Sequence, residues 1–485
     1  MDIFRTKPVA DLLREKERSG LSKSMGPLDL TALGIGAIIG TGIFVLTGVA
    51  AAQYAGPGLV LSFVVAGVAA GLAALVYAEL AAMIPVAGSA YTYSYAAMGE
   101  FTAWLVGWNL MLEYMIAVGA VAIGWGSYFT DLLRTLGLSL SPAWTAAPGA
   151  GGILNLPPVA IVAAVAWLVI RGTRQSAKFN RGIVALKIAV ILFFIVLGAF
   201  YVKTANWRPF LPFGTAGIFH GAAIIFFAYI GFDAVATAAE ETANPQRNVP
   251  LGIIGSLSLS TVLYIAVTVV LTGLVSYTTL NTASPVATGL IAAGFPWAGA
   301  IIAVGALAGI TSVLLVMTYA QSRILLAMGR DGLLPPVFTR VHPRFRTPYV
   351  NTLIVAGVAA LTAAFLPIGI VAQLANIGTL TAFILTSAGV MVLRRSRPDL
   401  PRPFKVPLYP YTPLLSMVFC LYLVFNLPPL TWIRLAVWLA AGIAVYFGYS
   451  YRHSALHGPE PPRTVGVPAP AAKPMPRGRE KQDRP

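Results

Sequence analysis

Charged residues and cysteine are scarce in this 485-residue sequence. Charged residues make up 10% of it, whereas soluble domains carry about 25%. Its single cysteine, Cys420, excludes a disulfide bond within the chain. The sequence contains no G-x-x-x-x-G-K-[ST] phosphate loop, no H-E-x-x-H motif, no Cys/His cluster and no T-V-G-Y-G filter. We therefore expect neither an enzyme nor an ATP-driven pump, and no cofactor or metal.

Hydrophobic residues, in contrast, make up 57% of the chain. They form about twelve apolar stretches, each long enough to cross a hydrocarbon core of ~30 Å as a helix. The sequence therefore predicts an all-α integral membrane protein with about 12 transmembrane helices. The predicted spans are 29–52, 59–82, 101–131, 156–170, 180–203, 219–239, 250–275, 297–329, 349–366, 371–393, 413–427 and 431–451.

The positions of the basic residues predict the orientation of these spans. With the N-terminus placed inside, the inner segments hold 27 Lys and Arg and the outer ones hold four. Such a bias is typical of the positive-inside rule, so we expect both termini in the cytoplasm and the chain in the plasma membrane. A net charge of +16 would suggest nucleic acid in a soluble protein. Here the positions of the charges matter more than their sum, so we expect membrane lipids around the chain and no nucleic-acid partner.

The two ends of the chain differ from its middle. Residues 1–28 mix basic and acidic side chains without an apolar run, so we expect a cytoplasmic segment and no cleavable signal peptide. Residues 452–485 are rich in proline and lack apolar periodicity, which predicts a disordered cytoplasmic tail.

Four glycines fall within nine residues of the first predicted span, in the string GIGAIIGTG that begins at Gly34. This density is costly for a continuous helix. One interpretation is a G-x-x-x-G packing face formed by Gly36 and Gly40. The other is an unwound segment, after which Thr41 and Gly42 open a second half-helix whose free N–H groups suit a carboxylate.

The sixth predicted span, five spans later, has a comparable interruption. Gly231 and Asp233 lie in the middle of its apolar run. A single glycine and aspartate would usually indicate packing, but paired interruptions in corresponding halves are the best sequence indication of a transporter site. The matched placement favours two broken helices.

Three strings in order, GIGAIIGTGIF, FFAYIGFDAVATAAEETANPQRNVP and RDGLLP, resemble the amino acid–polyamine–organocation superfamily. The combination is most similar to its cationic amino-acid transporter branch, including bacterial ApcT-like members. The resemblance implies the LeuT-type fold, with discontinuous helices 1 and 6. It places one five-helix repeat at 29–203, an inverted repeat at 219–393 and two additional helices at 413–451. It also implies proton-coupled transport of L-amino acids.

The resemblance further implies the residues of the substrate site. The substrate carboxylate would meet Thr41 and Gly42, with Gly40 and Gly231 supporting the breaks. Its ammonium would meet free backbone carbonyls, and Met317 would line the pocket and favour small or medium neutral amino acids such as alanine. The carbonyls are those of Ile38, Phe227, Ala228 and Ile230.

Lys187 lies in the apolar string IVALKIAVILFF of the fifth span. A lysine near a helix end can extend its ammonium to the interface. The resemblance instead places Lys187 where sodium-coupled relatives bind their second sodium, with Thr311 and Ser312 as neighbouring hydroxyls. We expect its ammonium to replace a metal cation, to donate to carbonyls near Gly36–Ile39 and to Thr311 or Ser312, and to carry the coupling proton without sodium.

Other polar residues in the spans leave two interpretations open. Glu113 can line the pocket and attract a cationic group, or pair with a tyrosine or a backbone group. For Asp233, holding the N–H groups of the broken helix is the favoured interpretation. Glu240 and Glu241 can form gating ion pairs or a solvated helix end, and His220 is expected to be structural.

The sequence as a whole favours a proton-coupled L-amino-acid symporter that works by alternating access. One alternative is an amino-acid or polyamine exchanger, which would not need a titratable Lys187. The other is a nutrient receptor that does not transport, against which the two interrupted helices argue.

Overall fold

The computed structural model describes residues 3–9, 12, 25–86, 88–172 and 177–456, with no side chains described for 177–180. Most of the tail predicted to be disordered, from residue 457 onward, and much of the N-terminal segment lie outside these ranges. Within them, the only β structure is an isolated bridge between Met25 and Thr242. The prediction of an all-helical protein is confirmed for the described residues.

Sixteen α-helices, numbered here in chain order, carry the fold of the described residues, with short 3₁₀ and π segments between some of them. They are α1 Pro27–Ile38, α2 Thr47–Ala50, α3 Leu59–Met83, α4 Ser89–Met98, α5 Glu100–Thr135, α6 Leu156–Arg171, α7 Ala177–Ala199, α8 Gly214–Ile225, α9 Ala234–Thr237, α10 Pro245–Leu274, α11 Pro285–Ala292, α12 Pro296–Arg330, α13 Tyr349–Phe365, α14 Ile368–Ser396, α15 Tyr411–Phe425 and α16 Pro429–Val445. A last helical turn, Tyr451–His453, follows α16.

Eight helical stretches of the described residues are long and apolar enough to cross a membrane, and four shorter apolar helices accompany them. Eleven of the twelve predicted spans overlap one of these helices or part of one, and the first, 29–52, is divided between Pro27–Ile38 and the start of the stretch Gly42–Met83. The correspondence is not one to one, because the stretch Gly42–Met83 covers the second half of the first predicted span and all of the second.

Small side chains let the helices around α1 approach closely. Helix α3 presents a buried row of alanines that includes Ala66, Ala70 and Ala73, and it packs against α10. Helix α10 also packs along α1, where a Cβ atom on Gly34 would collide with Ser256. Helices α7 and α12 cover other sides of α1. The short α1 is therefore enclosed by three longer helices.

Helix α5 is the scaffold on the other side of the bundle. It packs against α12, α13 and α14. Its first residue, Glu100, is fully buried and accepts hydrogen bonds from the hydroxyls of Tyr95, Tyr446 and Ser454. These bonds fasten the end of the described chain to the start of α5.

Candidate functional site

The first break follows α1. The helix ends at Ile38, and Ile39 adopts an extended conformation with ψ of 103°. Helical structure resumes after Thr41, in the π-helical turn Gly42–Leu46. The predicted interruption of this span is thus present at Ile39 and Gly40, directly before the Thr41–Gly42 pair, and it leaves carbonyl oxygens at the end of α1 without helical N–H partners.

The second break lies between α8 and α9. The 3₁₀ segment Phe226–Tyr229 follows α8, and Ile230 is extended with ψ of 137°. Gly231 then has φ of +111°, a region that favours glycine. A Cβ atom there would also lie 3.0 Å from the Ala37 carbonyl oxygen, so the conformation favours glycine and a larger residue would also have to displace Ala37.

The two breaks are in direct contact. A Cβ atom on Gly42 would collide with Cα and Cβ of Ala228. The hydroxyl of Tyr264, on α10, lies 3.0 Å from the Ile38 carbonyl oxygen and 2.9 Å from that of Ala228. A phenol has one hydrogen, so it can donate to only one of these two carbonyls at a time. Tyr264 therefore links the two breaks through carbonyls that the sequence suggested for the substrate ammonium.

Thr41 points toward α5 in this structure. Its hydroxyl donates to the Val121 carbonyl oxygen at 3.2 Å, and a Cβ atom on Gly124 would meet its side chain. The hydrogen of the Thr41 hydroxyl is therefore bonded to the protein and does not point to a substrate carboxylate. What remains for an anion at this break is the backbone at the start of the second half-helix.

Lys187 occupies the opposite side of α1. It is fully buried, and its Nζ donates to the carbonyl oxygens of Gly36 at 2.8 Å and Ile39 at 3.0 Å. Its aliphatic stem crosses α12 at Gly309, where a Cβ atom would lie 3.1 Å from Lys187 Cγ. A lysine that extends to the interface would not make these bonds, so that interpretation is wrong for this structure.

The hydroxyls beside Lys187 bind other partners than expected. Ser312 donates to the Gly36 carbonyl oxygen at 3.3 Å, the same acceptor that Lys187 uses. Thr311 donates to the Leu307 carbonyl at 2.7 Å and accepts from Trp125 Nε1 at 3.0 Å. The expected hydrogen bonds from the ammonium to Thr311 or Ser312 are not among those of the described residues, where Nζ donates to the two carbonyls of α1.

The remaining predicted residues are buried around the breaks. Phe227, Ile230 and Met317 are 2–4% exposed. Met317 lies one helical turn beyond Val313, whose side chain fills the space beside Gly40. This places Met317 on the face of α12 that Val313 turns toward the first break.

Glu113 and Asp233 are both fully buried. Tyr114 donates to Asp233 Oδ2 at 2.6 Å, whereas Asp233 Oδ1 has no hydrogen-bond partner among the described residues. That Asp233 holds the N–H groups of the broken helix stays a prediction, because no hydrogen bond from its side chain caps α9 among the described residues. Glu113, in contrast, has no hydrogen-bond partner for either carboxyl oxygen among the described residues.

The ends of the predicted helices carry the other charged residues of interest. Glu241 forms an ion pair with Arg323 of α12 at 3.2 Å, one of the two alternatives that the sequence left open. Asp29 of α1 pairs with Arg181 of α7 at 3.1 Å. His220 Nδ1 lies 3.1 Å from the Asn426 carbonyl oxygen, which agrees with a structural role.

Sequence reasoning missed Tyr264, Gly309 and the ion pair of Glu79. Arg394 donates two hydrogen bonds to the buried Glu79, one from Nε to Oε1 at 2.8 Å and one from Nη2 to Oε2. The Val406 N–H also donates to Glu79 Oε2, at 2.7 Å. A tyrosine in the middle of the apolar span 250–275 and a glutamate near the end of span 59–82 were the available signals.

Comparison with known proteins supplies the family. Residues 25–450 match the model of the amino acid permease family. The chain is 49% identical over 457 residues to a methylthioribose transporter of Bacillus subtilis, covering 94% of this chain and 99% of that protein. It is equally 49% identical to the branched-chain amino acid permease BcaP of B. subtilis, over 94% of this chain and 99% of that protein.

A more distant relative is human. Cationic amino acid transporter 4 is 32% identical, with 93% of this chain and 90% of that protein covered. These relatives are permeases and transporters, which supports a transporter rather than an enzyme. The apolar helices, the family match and the relatives together show that this chain belongs to the amino acid permease family, within the amino acid–polyamine–organocation superfamily, and resembles both bacterial permeases and cationic amino acid transporters.

Proposed function

We propose that this chain is a proton-coupled L-amino-acid symporter of the plasma membrane. The observation that carries the proposal is the buried ammonium of Lys187 on two carbonyls of α1, beside a pair of broken helices that touch each other. The ammonium of a buried lysine can release its proton, whereas a metal ion bound at the same position would have none to release. Lys187 can therefore carry a proton.

The substrate would bind where the breaks meet. Free N–H groups at the start of the second half-helix, near Thr41 and Gly42, suit the carboxylate. The carbonyls of Ile38 and Ala228, which now face Tyr264, suit the ammonium. Each break thus offers the donors or acceptors that an α-amino acid needs at its two charged ends.

Proton release would drive the opening of one side. Protonated Lys187 holds α1 against α7 and α12 through its two bonds and its contact with Gly309. Without its proton it loses its charge and a donor, so α1 is held less firmly and can move away. We infer that this movement opens the site to the cytoplasm.

Membrane potential would add to the driving force. One proton that moves inward with a neutral amino acid carries one net charge, worth about 2.3 kcal/mol per 100 mV. We therefore expect faster uptake when the outside is acidic, and no dependence on sodium.

The architecture that we propose for this function has twelve spans in a LeuT-type arrangement. One repeat would cover 29–203, an inverted repeat 219–393, and two additional helices 413–451. Support comes from the breaks after α1 and after α8, which fall in the first and the sixth predicted span, and from the charge bias that puts both termini inside.

Substrate preference follows from Met317. Its long apolar side chain is buried near the first break, which favours small and medium neutral amino acids. Relatives carry the names of a methylthioribose transporter, a branched-chain amino acid permease and cationic amino acid transporters. A methylthioribose molecule has neither carboxylate nor ammonium, so the two breaks favour amino acids over it.

Reconstitution into liposomes tests the proposal. With an acidic exterior and no sodium, the liposomes should accumulate radiolabelled alanine, and collapse of the pH gradient should stop accumulation. Uptake should be competed by neutral L-amino acids and not by methylthioribose. Accumulation that requires internal amino acid would indicate an exchanger, and binding without accumulation would indicate a receptor.

A further inference from the structure

Asn376 lies within α14 and its side chain is fully buried. The amide nitrogen donates to the carbonyl oxygens of Ala223 at 2.8 Å and Ile224 at 3.0 Å. An amide NH2 group has two hydrogens, so these two bonds use both of them. The amide oxygen has no hydrogen-bond partner among the described residues. The side chain therefore contributes to this place as a donor.

Both acceptors belong to the last turn of α8, which ends at Ile225. The last four carbonyls of a helix have no partner in the hydrogen-bond pattern of that helix. Asn376 is therefore a cap for α8 that another helix supplies. The 3₁₀ segment Phe226–Tyr229 begins directly after this turn, so the cap lies where the chain enters the second break.

Phe383 gives α14 another contact with the same break. It lies seven residues after Asn376, which puts both side chains on one face of the helix, about 10 Å apart along its axis. Its ring centroid is 6.1 Å from that of Phe226 and 5.0 Å from that of Phe232. One of these partners precedes Gly231 in the chain and the other follows it, so α14 contacts the second break on both sides of its glycine.

Helix α14 is in turn packed closely against α5. A Cβ atom on Gly378 would lie 3.4 Å from the carbonyl oxygen of Asn109 and from the backbone nitrogen of Glu113. Gly378 is two residues away from Asn376, so this contact fixes the part of α14 that carries the amide. The amide therefore joins the end of the short α8 to two long, unbroken helices.

We propose that Asn376 is a positioning residue of the substrate site. By holding the last turn of α8 it sets the direction of the backbone that follows, and with it the direction of the Ala228 carbonyl, which now faces Tyr264. Asn376 acts through the backbone and does not touch the substrate. The inference rests on the proposed function, because it takes the ammonium of an amino acid as the group that this carbonyl binds.

Binding of radiolabelled alanine to the purified full-length chain tests the role of the two donors. Asn376→Leu keeps the approximate size of the side chain and removes both hydrogen bonds. We expect it to weaken alanine binding roughly tenfold, which corresponds to the loss of about one hydrogen bond. The melting temperature without alanine should also fall, because the Ala223 and Ile224 carbonyls lose a donor.

Asn351 provides a matched control for this loss of stability. It is fully buried, donates to the carbonyls of Ser322 at 3.1 Å and Phe338 at 2.9 Å, and its amide oxygen also has no partner among the described residues. Asn351→Leu removes the same chemistry at a place that does not contact either break. It should lower the melting temperature to a similar extent and leave the affinity for alanine unchanged.

Asn376→Asp gives a second readout through pH. A charged aspartate has no hydrogen to donate, whereas a protonated one has a single O–H donor. The alanine affinity of Asn376→Asp, divided by that of the wild type at the same pH, should therefore rise as the pH is lowered. Division by the wild type removes the pH dependence of the site itself, and Asn351→Asp should keep a constant ratio.

Three results would overturn the inference while the wild type binds alanine normally. They are wild-type affinity in Asn376→Leu, an equal loss of affinity in Asn351→Leu, and an Asn376→Asp ratio that does not change with pH. If Asn376→Leu does not fold, the ratio for Asn376→Asp decides alone. A wild-type chain that binds no L-amino acid would instead contradict the proposed function, and the inference with it.

Discussion

The ammonium of Lys187 donates to two carbonyl oxygens at the end of α1, and its stem packs so closely on Gly309 that a Cβ atom there would lie 3.1 Å from Lys187 Cγ. At the residue scale, the nitrogen of this ammonium is the atom on which hydrogen bonding and proton transfer depend. A methyl group in place of the ammonium would keep most of the contact with Gly309 but could neither donate nor carry a proton. The carbonyl of Gly36 would retain Ser312 as a donor, whereas that of Ile39 would lose the donor described for it.

Lys187→Met is expected to abolish accumulation of alanine driven by a pH gradient, whether or not alanine still binds. The unpaired carbonyl of Ile39 should cost about 1–3 kcal/mol of folding stability, visible as a lower melting temperature. Uptake into proteoliposomes is the measurement, with Lys203→Met on an exposed loop as the control. A Lys187→Met variant that still concentrates alanine on a proton gradient would falsify the coupling role.

Tyr264→Phe removes one hydroxyl and leaves the ring packed against Phe63 and Tyr229. The carbonyls of Ile38 and Ala228 then lose the side-chain donor that the structure describes for them, so we expect a lower melting temperature. Because a bound ammonium can satisfy both, the rise in melting temperature on adding alanine should be larger than in the wild type. Tyr229→Phe is the control, since its hydroxyl donates to the Phe63 carbonyl at 2.8 Å and not to a break. An equal rise in all three proteins would contradict ammonium binding at these carbonyls.

At the scale of helices, the sequence predicts where the two breaks lie but not which side chains contact them. Glycine-rich and charged interruptions of apolar runs are local signals, so the breaks near Gly40 and Gly231 were predictable. The position of Lys187 in an apolar run was visible for the same reason. Tyr264 was not predictable, because it is one of 19 tyrosines and its partner Ile38 lies 226 residues away.

The side-chain partners at the breaks depend on how the helices are rotated and aligned against one another. Gly309 has no signal of its own in a chain with 47 glycines, and its role becomes visible only when the stem of Lys187 is placed across it. The same applies to Thr311, whose hydroxyl binds Leu307 and Trp125 instead of the ammonium. Contacts between helices are set by packing that periodicity does not encode.

Gly42→Leu is expected to abolish binding of alanine. The first carbon of the new side chain already collides with Ala228, so the two breaks must separate and the paired site is lost. Binding measured by thermal shift or by radioligand should disappear, while the chain remains membrane-inserted. Gly71→Leu is a matched control on α3, where a Cβ atom meets nothing within 4 Å. Normal binding by Gly42→Leu would contradict an anion site at the start of the second half-helix.

Met317→Ser is expected to widen the site along α12. Removal of a long apolar side chain that is 2% exposed creates room for a longer substrate and introduces a hydroxyl. The ratio of arginine or lysine binding to alanine binding should rise, measured in a competition panel. Leu315→Ser, on the same helix and only partly buried, is the control, and an unchanged ratio in Met317→Ser would leave Met317 as ordinary packing.

At the scale of the whole molecule, the charge bias predicts that the tail is cytoplasmic. Cys420 is buried, so a cysteine introduced at Ala471 should be the accessible one in that variant. An impermeant thiol reagent applied to intact cells should fail to label it and should label it after permeabilisation. Thr204→Cys, on an exposed segment predicted to face outside, should react in intact cells. Labelling of position 471 from outside would reverse the proposed orientation.

The hydroxyl of Tyr264 also has a kinetic consequence. A symporter must return without cargo after each delivery, and an empty site with unsatisfied carbonyls would make that return slow. In the symporter that we propose, Tyr264 would donate to the carbonyls of Ile38 and Ala228 in turn and would so replace the cargo during the return step. An exchanger never makes that step, because its carrier crosses loaded in both directions. Loss of this one hydroxyl should therefore slow net uptake while one-for-one exchange of alanine continues, so that Tyr264→Phe turns a net transporter into a protein that mainly swaps its substrate.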